Sequence, residues 1–168
     1  MKENKDIVFN GNGYSDEWVV EAEKRGLPNI KSMIEAASTL TSEKAVALFE
    51  KFGIYTKAEL ESREEIIYET YAKTINIEAL TMIDMAGKQI IPAVVKYTKT
   101  LADTANAIKA AGGDASVQTE LLADVSTKLA AMQKELNKLV ADEKEASAME
   151  DVKAQAFFYK DTIKATMD

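Results

Sequence analysis

Residues 56–111 read TKAELESREEIIYETYAKTINIEALTMIDMAGKQIIPAVVKYTKTLADTANAIKAA. No glycine or proline interrupts the stretch before Gly87. Unbroken, a helix of this length is roughly 80 Å long. Apolar or small residues recur at Leu80, Ile83, Gly87, Ile90, Val94, Tyr97, Leu101, Ala105 and Ile108, in steps of three or four. That spacing puts them on one stripe of a helix that buries one face. Thr56 and Glu59 stand at capping-box spacing at the start. Gly112 and Gly113 end the stretch, the first free to take the left-handed conformation common at helix stops. Between them, Gly87 and Pro92 predict a kink, because Pro92 cannot donate to the Lys88 carbonyl and its ring crowds that turn.

The rest of the chain reads as cover for this helix. Val117, Leu121, Val125, Leu129, Met132, Leu136 and Leu139 predict a second amphipathic helix over 116–141. Met149, Val152, Ala156, Tyr159 and Ile163 predict a third over 148–166, with Ser147 and Glu150 as its capping box. Short links make consecutive helices antiparallel neighbours. The expected fold is therefore all-α: a long kinked central helix in an antiparallel three-helix bundle over 57–168. Short helices and a short N-terminal extended arm precede it. Leu101 lies mid-stripe, where both later helices can cover it.

Before the bundle, Ser15 can cap a helix with Asp16 and Glu17 in its first turn, where carboxylates suit the helix dipole. Trp18, Val19 and Ala22 form its narrow apolar face, and Gly26 with Pro28 ends it. Ser32 and Glu35 make another capping box, over 33–38. A further short helix follows Ser42 and buries Val46, Leu48 or Phe49, and Phe52. Asp6–Phe9 is a short apolar run that reads as a strand with no second strand to pair with. The chain therefore reads as beginning in the middle of a larger fold, with 1–28 as an arm and 29–168 as a helical domain.

Composition removes several kinds of function. The chain has 168 residues, a net charge of -7, no histidine and no cysteine. A negative protein without clustered cations does not suit nucleic acid. Lack of histidine removes the commonest general base and transition-metal ligand, and lack of cysteine removes thiol chemistry. The absence of cysteine also suits a reducing cytoplasm. No apolar run approaches the roughly 20 residues of a membrane span.

Candidate motifs read as structural. Gly11-Asn12-Gly13 before a helix resembles the opening of a dinucleotide fingerprint, but Asp16 replaces its third glycine and would repel a phosphate. Glu59, Glu61, Glu64, Glu65 and Glu69, broken by Arg63, read as a solvated helix face rather than a carboxylate metal site, which needs ligands from several helices. Asp84 borders the stripe and reads as a bonded structural carboxylate. Met82, Met85, Tyr68, Tyr71 and Tyr97 read as core or rim. No nucleophile–base pair can be assembled. The expectation is no catalytic, cofactor-binding or metal-binding residue in this chain.

The segments Phe9-Asn10-Gly11-Asn12-Gly13-Tyr14-Ser15-Asp16-Glu17-Trp18 and Ala22-Glu23-Lys24-Arg25-Gly26-Leu27-Pro28-Asn29 resemble the C-terminal region of type III glutamine synthetases, the bacterial large-subunit class. The likeness continues through Ser42-Glu43-Lys44, Leu48-Phe49-Glu50-Lys51-Phe52-Gly53 and Glu59-Leu60-Glu61-Ser62-Arg63. It is strong again at Tyr71, at Lys73-Thr74-Ile75-Asn76-Ile77-Glu78-Ala79-Leu80-Thr81-Met82 and at Asp84-Met85-Ala86. After Gln89 it is chiefly one of pattern. In that family the full-length enzyme joins ammonia to glutamate with ATP and Mg, in a catalytic barrel that this sequence does not contain. The resemblance implies a helical structural and assembly domain. Its partners would be the catalytic domain of the same polypeptide and other subunits of a homo-oligomer. The alternative is an independent helical protein-interaction module.

Overall fold

The structure, a computed structural model, describes residues 11–168. The expected strand at residues 6–9 lies outside them. Among the described residues the regular structure is entirely helical. Helix α1 is Asp16–Lys24, α2 Met33–Ala37 and α3 Glu43–Lys51. Helix α4, Lys57–Met85, passes through a widened turn at Ala86–Ile90 into α5, Ile91–Ala110. Helix α6 is Ser116–Ser147. Helix α7, Val152–Phe158, passes through a second widened turn at Tyr159–Ile163 into α8, Lys164–Met167.

Most local signals are realised as read. Thr56 and Glu59 form a reciprocal capping box. Ser15 accepts from the Trp18 amide, and Ser42 from the Ala45 amide. Gly112 adopts φ +76°, which costs a glycine little and would strain any other residue.

Two caps differ from expectation. Ser32 accepts from the Ile34 amide, yet Glu35 does not reach back to complete a box. Its carboxylate instead bonds Lys160 at 2.9 Å. The cap of α7 is Asp151, whose carboxylate accepts from the Ala154 amide at 2.6 Å, rather than Ser147. Ser147 is the last residue of α6, which runs past the expected end at 141. Residues 142–147 hold no glycine or proline, so nothing there stops the helix.

The kink signal appears as a change of hydrogen-bond register. The Ile91 amide bonds the Ala86 carbonyl, five residues back instead of four. This single wide turn lies immediately before Pro92, whose missing N–H and crowding ring disfavour a regular turn there. It also corrects the stripe. Going along α4 the inward positions are Leu60, Glu64, Tyr68, Ala72, Ile75, Ala79, Ile83 and Ala86; along α5 they are Ile91, Val94, Thr98, Leu101, Ala105 and Ile108. The step from Ala86 to Ile91 is the one that a wide turn inserts. Leu80, Ile90 and Tyr97, placed on the stripe by regular spacing, are 46 %, 44 % and 49 % exposed.

Packing follows from this phase. Helix α5 returns along α6 as an antiparallel pair, while α6 also reaches α4. The segment from α7 to α8 fills the remaining side of α4. Ala72, Ile75, Ala79, Leu139, Ala146, Tyr159 and Ile163 form the main core. Ile34, Ala37, Tyr68 and Ala156 form a second core that seats α2. Leu101 is buried, with α6 as the principal helix beside α5. At the α6 entry Val117 and Leu121 are exposed, and Gln118 and Leu122 turn inward in their place. In α3, Val46 and Phe49 are half-buried, whereas Leu48 and Phe52 are exposed. Phe49 packs on Tyr55, with ring centroids 5.6 Å apart.

Candidate functional site

The acidic face of α4 is solvated except at one residue. Glu59, Glu61 and Glu65 are exposed and Glu69 is half-buried, but Glu64 is buried. Its position on the inward stripe, between Leu60 and Tyr68, is the reason. Three side chains satisfy it: Thr41 Oγ1 donates to Oε2 at 2.5 Å, Tyr68 Oη donates to Oε1 at 2.7 Å, and Lys153 Nζ lies 3.4 Å from Oε1. Burial pushes its carboxyl upward. The hydrogen bonds from Thr41 and Tyr68 and the charge of Lys153 outweigh that and hold it below its ordinary value. Burial, followed by the neighbouring Glu64, raises Tyr68 above the usual phenol range. Glu64 thus ties α4, the α2–α3 loop and α7 together.

A second polar tie crosses the main core. Asn76 Nδ2 donates to Tyr159 Oη at 2.6 Å and to Glu143 Oε1 at 3.3 Å, joining α4 to α6 and to the second widened turn. Regular periodicity does not signal either tie, because each depends on residues distant in sequence.

Asp84 does not border the core as expected. It is exposed and pairs with Lys88 on the next turn. Tyr68 is core, Tyr71 is half-buried and Tyr97 is exposed. Met82 and Met85, 38 % and 45 % exposed, stand on the rim of an apolar groove of about 590 Å³. Ile77, Ile90, Met132 and Met167 also line it, so it lies where α4, the widened turn, α6 and α8 meet.

The buried carboxylate, Glu64, has its oxygens taken by Thr41, Tyr68 and Lys153. No three acidic side chains among the described residues converge as a metal site. At the Gly11-Asn12-Gly13 loop, the side chain of Asn12 accepts from the Tyr14 amide and Ser15 caps α1 with Asp16 and Glu17 behind it. No helix among the described residues is long and apolar enough to cross a membrane.

The family model for the glutamine synthetase C-terminal domain matches residues 1–109. A glutamine synthetase of Butyrivibrio fibrisolvens is 40 % identical over 98 % of this chain and 24 % of its own length. A type-3 glutamine synthetase of Dictyostelium discoideum is 42 % identical over 61 % of this chain and 14 % of its own. A glutamine synthetase of Bacteroides fragilis (strain YCH46) is 29 % identical over the whole chain and 24 % of its own length. The chain therefore spans about a quarter or less of these relatives. The match of 1–109 takes in α1 to α4, including Glu64, and most of α5, so the chain belongs to the glutamine synthetase C-terminal domain family.

Proposed function

We propose that this chain serves as the C-terminal helical structural and assembly domain of a cytoplasmic glutamine synthetase, without catalytic residues of its own. In the full-length protein, ligation of ammonia to glutamate with ATP and Mg would belong to the remainder of the polypeptide. Residues 1–28 would lean on that catalytic part, and residues 29–168 would form the helical domain. The family match supports the setting, and the apolar groove supports the role. Met82, Met85, Ile77 and Ile90 remain 38–66 % exposed at the junction of four helical segments. A contiguous apolar surface of this kind suits a partner that covers it. The catalytic part of the same polypeptide, or another subunit, is the occupant this reading names.

The test is the paired substitution Met82→Lys and Met85→Lys in the full-length synthetase and in this chain. The expected result is loss of the native oligomer by native mass spectrometry, while thermal unfolding of this chain is unchanged. An intact oligomer carrying both lysines would overturn the role of the groove. Calorimetry of the chain with Mg-ATP is expected to show no saturable binding. A saturable site there would overturn the non-catalytic reading.

A further inference from the structure

A cleft of about 590 Å³ opens between the entry to α2 and the second widened turn. Lys31, Lys160 and Lys164 line it, together with Glu35, Ser32 and Tyr71. Three ammonium groups thus meet two carboxylates, Glu35 in the lining and Asp161 beside Lys160, in a protein whose net charge is -7. Local excess of positive charge against the overall sign is the first observation.

The second observation is how the polar groups are committed. Lys160 Nζ lies 2.9 Å from Glu35 Oε1 and 2.9 Å from Asp161 Oδ1. Those bonds use two of its three donors and fix the ammonium at the cleft wall. Glu35 and Asp161 thus share the single charge of Lys160. Lys31 and Lys164 make no ion pair among the described residues, whereas Lys57, Lys73 and Lys128 pair with carboxylates on their own helices. The Tyr71 hydroxyl has no hydrogen-bond partner among the described residues, while burial raises its proton affinity and keeps it a donor. Ser32 Oγ accepts from the Ile34 amide, which leaves its own proton uncommitted. Two lysines without an ion pair and two neutral donors line a space of the size that small-molecule sites occupy.

We propose that this cleft binds a small organic dianion, either a phosphate monoester or a dicarboxylate. Lys31 and Lys164 supply the balancing charge, and Tyr71 and Ser32 supply neutral hydrogen bonds. The widened turn at Tyr159–Ile163 contributes to the site, since Lys160 lies on it and Lys164 follows directly. Charge-assisted bonds from two lysines are the dominant contribution, so affinity falls as salt rises. A ligand seated there would join the entry of α2 to α8, beside the Lys160–Glu35 pair that bridges α2 to the widened turn.

The experiment is a titration of this chain with inorganic phosphate and, separately, with succinate, at matched ionic strength, followed by amide NMR. Saturable millimolar or tighter shifts around Lys31, Tyr71 and Lys164 are expected with at least one probe. Saturation by phosphate alone identifies the phosphoryl group, and saturation by succinate alone identifies the dicarboxylate. The double variant Lys31→Gln/Lys164→Gln should weaken binding about tenfold or more, a loss of about 1.4 kcal/mol. Both lysines are exposed and unpaired, so the variant should melt with the parent. Tyr71→Phe should weaken binding less. Failure of both probes to saturate, or equal binding by the double variant, would overturn the proposal.

Discussion

Tyr68 donates its hydroxyl to Glu64 Oε1 at 2.7 Å, across one turn of α4, in the interior of the protein. Thr41 and Lys153 complete the carboxylate's shell from either side. The folded state therefore favours the ionised carboxylate more than the unfolded state does.

The sign of the resulting pH dependence follows. The folded pKa of Glu64 lies below its ordinary value. Its stabilisation is present above the unfolded carboxylate pKa and is lost as pH falls through the folded one. Glu64→Gln is expected to cost about 1.5–3 kcal/mol at neutral pH, the range for hydrogen bonds to a charged group. The difference between parent and variant in urea unfolding should shrink below roughly pH 4, near the unfolded carboxylate range. A constant difference across that range would show that Glu64 is not held ionised by its partners.

The phase of the buried stripe is tested by two neighbouring residues. Leu101, 7 % exposed, should lose about 2–5 kcal/mol on substitution by alanine. Tyr97, predicted buried by regular spacing but 49 % exposed, should lose only about 0.5 kcal/mol. Equal losses in denaturant unfolding would place Tyr97 on the covered face of α5 together with Leu101.

Gly87 lies inside that turn with helical backbone. A Cβ built there would meet Leu136 Cδ2 at 3.9 Å, an ordinary contact. Gly87→Ala should therefore stabilise by about 0.5–1 kcal/mol, through helix propensity and a less flexible unfolded chain. A loss of stability on thermal unfolding would mean that α6 tolerates no added carbon at this crossing.

The start of α7 separates two candidate caps. Asp151→Ala should cost about 1 kcal/mol, the usual loss for an N-cap carboxylate. Ser147 donates its hydroxyl to the Glu143 side chain on the same helix. Ser147→Ala should accordingly change stability by less than about 0.5 kcal/mol, as exposed substitutions do. The reverse ranking in thermal melts would restore Ser147 as the cap.

The sequence by itself determined the all-helical class, the caps at Ser15, Ser42 and Thr56, the glycine stop at Gly112 and the family. Each of these depends on residues within a turn or two of one another, or on identities that the chain carries openly. The same nearness made Pro92 legible as a disturbance. What followed from Pro92 required the assembled structure. After the wide turn Ile91 rather than Ile90 faces inward, while Leu80 before it and Tyr97 beyond it stand beside the covered face rather than on it, so a stripe drawn at constant spacing misplaced them. The same holds for Glu64, Glu35 and Asp84. Their roles depend on Thr41, Lys153 and Lys160 being brought to them, or on no buried partner reaching them. Periodicity says which residues share a helix face. Only the packing of distant helices decides which face is covered, because the energy of burial resides in contacts that local sequence does not contain.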